Sequence, residues 1–165
     1  MRKLLTAFAL LVAAPVAFAQ SAPPPAPTFT VVTQPVMWRI AGSNEAATDA
    51  IGTFKLPDPD LSLRTDNFIA PNPGISANFG GIQYAKELGK SAWQGYVSGG
   101  AGLVSSNVAS HFGADVNGGL NFDIAGSKTF SWNAVQASYI YGQVSDGGKV
   151  TQNSFAIATG IKISF

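Results

Sequence analysis

The last thirteen residues alternate strictly between two kinds of side chain, and this pattern constrains the fold most. From Asn153 onward every second residue belongs to one face, and that face is apolar at Phe155, Ile157, Ile161, Ile163 and Phe165. The residues between them are small or polar, and Lys162 is one of them. A period of two is typical of a β-strand with two unlike faces. The apolar face must therefore meet either a protein core or a membrane.

The first 19 residues have the pattern of a secretory signal peptide. A positively charged start (residues 1–3) precedes an apolar run, and Ala17-Phe18-Ala19 resembles a cleavage site. A retained membrane helix is the weaker alternative, because Pro15 interrupts a run that is already short for a bilayer. We predict a signal peptide at 1–19, a proline-rich disordered leader at 20–28, and one domain at 29–165.

Composition narrows the class of this domain. Hydrophobic residues make up 46% and charged residues 12% of the chain, with no cysteine and a formal net charge of +1. Disulfides are therefore absent, and the charge gives no reason to expect nucleic-acid binding. No apolar run after the signal is long enough for a spanning helix. A compact soluble β-domain and a β-barrel remain.

Eight segments have strand character, and none after the signal has a helical period. Tight turns at 57–59, 89–91 and 125–128 alternate with mostly longer loops at 41–49, 70–74, 107–109 and 144–150. This layout predicts an all-β fold, a single eight-stranded antiparallel up-and-down transmembrane β-barrel with both termini in the periplasm. The strand candidates are Phe29–Ile40, Ala50–Leu56, Asp60–Ile69, Ile75–Leu88, Ala92–Ser105, Ser110–Ile124, Thr129–Gln143 and Gln152–Phe165.

The sixth strand candidate repeats the alternation. One face carries Phe112, Val116 and Leu120, and the other carries small or polar residues such as Asp115 and Asn117. A soluble sandwich would carry many lysines and glutamates on its polar face, whereas these faces suit a narrow barrel interior. The seventh strand loses phase between residues 132 and 135, which predicts a β-bulge.

The aromatic residues are expected to form two belts at the bilayer interfaces, where such rings are favoured. One belt is predicted at the end of the barrel with the tight turns: Phe29, Phe54, Tyr84, Trp93, Phe122, Phe130 and Phe165. The other is predicted at the end with the longer loops: Trp38, Phe68, Phe79, Phe112, Tyr139, Tyr141 and Phe155.

The stretches "HFGADVNGGLNFDI" and "TQNSFAIATGIKISF" resemble the closing strands of small outer-membrane barrels of the OmpA, OmpX and opacity-protein type. The resemblance extends from about Thr28 to the last residue and includes no cell-wall-binding domain. It implies the outer membrane of a Gram-negative bacterium as location, outer-membrane lipid as surroundings, and the barrel-assembly machinery as a partner during insertion. It also implies that Ile161, Ile163 and Phe165 form the assembly signal.

Four charged residues fall on polar faces of long strands: Arg64, Asp66, Asp115 and Lys162. The interior of an eight-stranded barrel is just wide enough for side chains to fill, and buried charges must be paired. We therefore predict a lumenal polar network that plugs the barrel. A gated conductive path is the alternative.

No catalytic, cofactor-binding or metal site is predicted. Ser110 and His111 are neighbours in a strand and point to opposite faces, so they do not form a hydrolytic site with Asp115. Asp58 and Asp60 offer too few oxygens for calcium, and a single histidine without cysteine does not suggest zinc. "DGGKVT" lacks the full spacing of a phosphate loop.

These patterns favour a non-enzymatic outer-membrane barrel with a structural or surface-interaction role and no cofactor. Its physiological partner is not indicated by the sequence. A secreted soluble β-barrel that binds a small apolar ligand is one alternative, and it would require the bulky side chains to point inward. A small porin or a lipid-modifying barrel enzyme is another.

Overall fold

The computed structural model describes residues 29–72, 74–89, 91–124, 127, 129–146 and 149–165. They form a closed barrel in which consecutive strands pair antiparallel and β8 pairs with β1, so the predicted fold is confirmed. The predicted signal peptide and leader (1–28) lie outside the described residues. The strands are β1 (Phe29–Ile40), β2 (Ser43–Lys55), β3 (Leu61–Ala70), β4 (Ile75–Glu87), β5 (Trp93–Ser105), β6 (Ser110–Asp123), β7 (Phe130–Asp146) and β8 (Lys149–Ser164).

The described part of the chain contains no helix that is long and apolar enough to cross a membrane.

The barrel has two ends that differ in their connections. We call one end the hairpin end; its connections are residues 41–42, 71–74, 106–109 and 147–148. We call the other end the terminal end, because the start of β1 and the last residue of the chain lie there; its connections are residues 56–60, 88–92 and 124–129. The terminal end also carries Phe29 and Phe165, which exchange backbone hydrogen bonds across the β1–β8 seam. The predicted contrast of tight turns here and longer loops at the hairpin end is therefore wrong.

The error arises in β2, which begins at Ser43 rather than at Ala50. Residues 43–49 resemble a loop in composition, yet they pair with β1 from Ser43 opposite Ile40 onward. Ala41 and Gly42 both have positive φ, 49° and 91°, as a two-residue hairpin turn with the twist of the flanking strands requires. Only glycine adopts this conformation readily, so the Ala-Gly pair gives a weak turn signal.

The predicted bulge in β7 is confirmed. The register between β7 and β8 shifts between Asn133 and Gln136, and the register between β6 and β7 shifts after Leu120. Asn133 and Gln136 are both buried although they differ in parity. The bulge therefore moves the inward face of β7 from odd to even positions.

Bulky apolar residues cover the outside of the barrel. Leu120 and Ile161 are exposed, whereas Asn117 is buried, in agreement with the faces predicted for β6 and β8. A soluble barrel with an apolar cavity would need the reverse arrangement, so this alternative is wrong. The exposed residues include Met37, Leu63, Ile69, Ile82, Val97, Leu103, Val116, Val135 and Ile157.

The aromatic residues form one complete belt and one partial belt. At the terminal end, the predicted belt lies around the outside and is joined by Trp132. At the hairpin end, Trp38, Phe68 and Phe79 are buried in the lumen, so their assignment to a belt is wrong. The exposed aromatic residues there lie on β6 to β8 alone among the described strands: Phe112, Tyr139, Tyr141 and Phe155.

The misplaced aromatic residues belong to an apolar cluster inside the hairpin end, here called the hairpin-end cluster. Trp38 and Phe68 pack with ring centroids 5.7 Å apart, and the indole nitrogen of Trp38 donates a 2.9 Å hydrogen bond to Ser154. Apolar groups thus fill this half of the lumen. The cluster comprises Val36, Trp38, Ile40, Ala47, Phe68, Ala70, Ile75, Ala77, Phe79, Val104, Ile140, Ala156 and Ala158.

Candidate functional site

Polar side chains meet in the middle of the lumen, next to the hairpin-end cluster. We call this hydrogen-bonded group the central network. Its members come from β1, β2, β3, β4, β5 and β7, so it crosses the barrel rather than following one strand. They are Gln34, Asp49, Arg64, Asp66, Gln83, Tyr96, Asn133, Gln136 and Ser138.

Gln136 connects more members of the central network than any other amide. Its Oε1 accepts hydrogen bonds from Arg64 Nη2 and the Tyr96 hydroxyl, both at 2.9 Å. Its Nε2 donates to Asp49 Oδ2 and Ser138 Oγ, both at 3.1 Å. A primary amide has two donor hydrogens and two acceptor lone pairs, so its capacity is fully used. The β7 bulge makes this possible because it places Gln136 in the lumen.

Arg64 is the cation of the central network. Its Nε and Nη2 donate to the two carboxylate oxygens of Asp66 at 2.7 and 2.5 Å, and its Nη1 donates to Gln83 at 2.7 Å. Arg64 and Asp66 share a face because they lie two apart in β3. The guanidinium carbon also lies 5.2 Å from the centroid of the Tyr96 ring. A two-pronged pair of this kind holds the guanidinium in one orientation.

A chain of amides closes the central network across the barrel. Gln34 donates to Asp49 Oδ2 at 3.0 Å and accepts from Asn133 Nδ2 at 2.6 Å. The Oδ1 of Asn133 also lies 3.3 Å from the Tyr96 hydroxyl and shares its single hydrogen with Gln136. The sequence prediction missed all four of these residues. Both faces of β1 carry apolar residues, so its alternation does not indicate that Gln34 faces inward.

Asp115 is buried in the lumen, but its side chain does not belong to the central network and accepts a hydrogen bond from Asn117. Asn117 Nδ2 donates to Asp115 Oδ2 at 2.5 Å and to Ser98 Oγ at 3.2 Å. One oxygen each of Asp49, Asp115 and Asn117 has no hydrogen-bond partner among the described residues. The buried charged residues of the described chain are three aspartates and one arginine, so acidic groups predominate inside.

Lys162 lies apart from both groups, nearer the terminal end. Lys162 pairs with Ser131 of β7, and Ser131 pairs with Asp123 of β6, so the three residues lie in one row across the sheet. Lys162 is half-buried and makes no hydrogen bond or ion pair with any residue that the structure describes. Of the four predicted lumenal charges, the structure therefore joins Arg64 and Asp66 directly and places Asp115 and Lys162 separately.

Two connected spaces in the lumen lie on the terminal side of the central network. A cavity of about 20 Å³ lies against Arg64, Tyr96 and Lys162. Beyond it a wider recess of about 410 Å³, here called the vestibule, opens at the terminal end. Lys162, Thr30, Thr53 and Gln83 line both spaces.

The side chains of Ser110 and Asp115 in β6 are not arranged as a catalytic site. Ser110 is exposed and its hydroxyl lies 2.8 Å from that of Ser105, whereas Asp115 is buried in the lumen. Within the described residues, no group of three or more His, Asp or Glu side chains is arranged to hold a metal ion.

The predicted assembly signal lies beside the seam that closes the barrel. Phe165 and Ile161 are exposed on the outside and Ile163 is half-buried. The ring of Phe165 stacks on that of Phe29 with centroids 6.4 Å apart, and Phe165 N donates a 2.8 Å hydrogen bond to Phe29 O. The last residue thus pairs with the first residue of β1.

A closed antiparallel barrel with an apolar exterior and a polar centre is an integral β-barrel of the outer-membrane type. No protein-family model matches the sequence, and no curated protein sequence matches it either. Solved structures do share the fold. The crystal structure of Neisserial surface protein A (NspA) aligns with 83% of this chain and 96% of its own, with TM-score 0.53 and 11% identity. The N-terminal β-barrel domain of Pseudomonas aeruginosa OprF aligns with 84% of this chain and 98% of its own, with TM-score 0.58 and 12% identity.

Proposed function

We propose that this protein is a non-enzymatic barrel of the Gram-negative outer membrane, with a structural or surface-interaction role and a lumen closed by its own side chains. The hairpin-end cluster is the observation that carries the proposal. Six of its large side chains are at most 1% exposed: Trp38, Ile40, Phe68, Ile75, Val104 and Ile140. An aqueous path through the barrel would have to displace them.

The central network supports the same conclusion by a different mechanism. Opening it would separate Arg64 from Asp66 and break the four hydrogen bonds of Gln136. A buried charge left without its partner is strongly destabilising. The cavity beside Arg64, about 20 Å³, has room for about one water molecule. Closure therefore involves two successive layers, one apolar and one polar.

The connections at the hairpin end favour the structural role over recognition of a large partner. They comprise two to four residues each, 41–42, 71–74, 106–109 and 147–148. Surface receptors and adhesins of barrel type depend on longer extracellular loops. The apolar exterior instead makes outer-membrane lipid the main contact of this barrel.

Conductance in planar bilayers tests the closed lumen. We expect the protein to insert without stepwise conductance, and a variant that opens both layers, Trp38→Ala and Phe68→Ala together with Gln136→Ala, to show a measurable leak. The matched control is Phe112→Ala, Phe155→Ala, which removes two exposed aromatic residues from the same end. Regular conductance steps in the unmodified protein would overturn the proposal.

The assembly signal at Ile161, Ile163 and Phe165 remains part of this proposal. Phe165→Ala should lower the amount of barrel inserted in the outer membrane, whereas Phe130→Ala should not. Phe130 is also exposed at the terminal end, so it controls for the loss of an interfacial ring. Equal insertion of both variants, measured by heat-modifiable migration of membrane fractions, would remove any special role of Phe165.

A further inference from the structure

The vestibule has the size and chemistry of a binding site for a small polar molecule. Its volume of about 410 Å³ falls within the range of small-molecule sites. Hydroxyl, amide and charged groups line its wall. The polar lining includes Thr30, Thr53, Ser62, Gln83, Gln94, Ser131 and Ser164.

The charges of the vestibule are distributed unevenly around its wall. Lys55 on β2 and Lys162 on β8 flank β1, so they form a positive side. Glu87 at the end of β4 and Asp123 at the end of β6 lie on the other side, and Asp60 lies between β2 and β3. The side of β8, β1 and β2 thus carries two lysines and Asp60, whereas the charges at the ends of β4 and β6 are both acidic.

The deepest part of the vestibule favours an anionic group. Lys162 lines it and makes no hydrogen bond or ion pair with any described residue, and the carboxylate that attracts its charge, Asp123, lies two strands away in the same row. The residues that line the adjoining cavity include Arg64 and no carboxylate. A guanidinium has five N–H groups, and Arg64 donates four of them to Asp66, Gln83 and Gln136. Donors therefore remain available at this depth.

We propose that the vestibule binds a small zwitterion, with its carboxylate at Lys162 and its ammonium group toward Asp123 and Glu87. A simple anion would meet the three acidic groups of the wall, and a simple cation would meet two lysines. A molecule with both charges satisfies both sides. This site goes beyond the proposed function and does not depend on it, because the vestibule lies on the terminal side of both closing layers.

Titration with diglycine, followed by amide chemical shifts of the protein in lipid nanodiscs, tests the site. We expect saturable shifts at Ser131 and Ser164, which line the vestibule. N-acetylglycine keeps the carboxylate without the ammonium group, and glycylglycinamide keeps the ammonium group without the carboxylate. Each should bind at least about tenfold more weakly, since each loses one charged hydrogen-bonding group.

Lys162→Gln should weaken diglycine binding at least about tenfold, as expected for the loss of a charged partner. Lys86→Gln is the matched control, because Lys86 is exposed and does not line the vestibule. Heat-modifiable migration shows that each variant is folded. The proposal is overturned if diglycine causes no saturable shift, if Lys162→Gln binds as the unmodified protein does, or if either analogue binds as tightly as diglycine.

Discussion

The two halves of the lumen differ in the side chains that line them. At the hairpin end, inward positions carry large apolar side chains such as Trp38 and Phe68, which are fully buried. At the terminal end, inward positions carry short hydroxyl residues, amides and Lys162 around an open vestibule. The outer surface shows no such division, since bulky apolar residues cover both halves. The inside of a barrel can thus change from a packed core to an open cleft along its axis while bulky apolar residues cover the outer surface at both ends.

The central network lies at the boundary between the halves and is the part most sensitive to the loss of one residue. Arg64→Met removes the cation that pairs with Asp66 and leaves that carboxylate buried among acidic groups. We expect this change to lower the free energy of unfolding by about 3–5 kcal/mol. Urea unfolding in phospholipid vesicles measures the difference.

Arg39→Met is the matched control for this change. Arg39 lies on the exposed face of β1, so its replacement should alter the free energy of unfolding by no more than about 0.5 kcal/mol. If the two variants lost equal stability, the central network would not be the energetic centre of the lumen.

The hairpin-end cluster should respond to shape rather than to charge. Ile140→Ala leaves a void among fully buried neighbours and should cost about 2–5 kcal/mol. Ile157→Ala makes the same deletion on the exposed face of β8, where lipid chains fill the vacated space, and should cost less. Equal losses in the same unfolding experiment would mean that the cluster is not packed as a core.

The parts of the fold that the sequence predicted are those in which the two faces of a strand differ strongly. In β6, Phe112, Val116 and Leu120 oppose small and polar residues, and both the strand and its inward face were predicted correctly. In β1 both faces contain apolar residues, so the position of Trp38 could not be assigned from periodicity. In β2 both faces carry small and polar residues, so the first half of the strand, residues 43–49, was predicted as a loop.

The central network could be predicted only in part, because its contacts depend on register. Arg64 and Asp66 lie two apart in one strand, and their proximity follows from the period of β3 alone. Gln136 reaches them from β7, across the lumen and after a bulge that changes its face. Closure of the barrel and the stagger of its strands determine which amides meet, and a single sequence specifies neither of these directly.

The sharpest comparison between the central network and the vestibule uses one residue type in two surroundings. Gln34 is fully buried, donates to Asp49 and accepts from Asn133, so Gln34→Ala leaves buried polar groups unpaired and should cost about 1–3 kcal/mol. Gln94 lines the vestibule and accepts one 3.3 Å hydrogen bond from Asn121. Water can replace that bond, so Gln94→Ala should change the free energy of unfolding by no more than about 0.5 kcal/mol. A loss at Gln94 as large as that at Gln34 would show that the vestibule is closed to water and that its polar groups are as dependent on their partners as those of the central network.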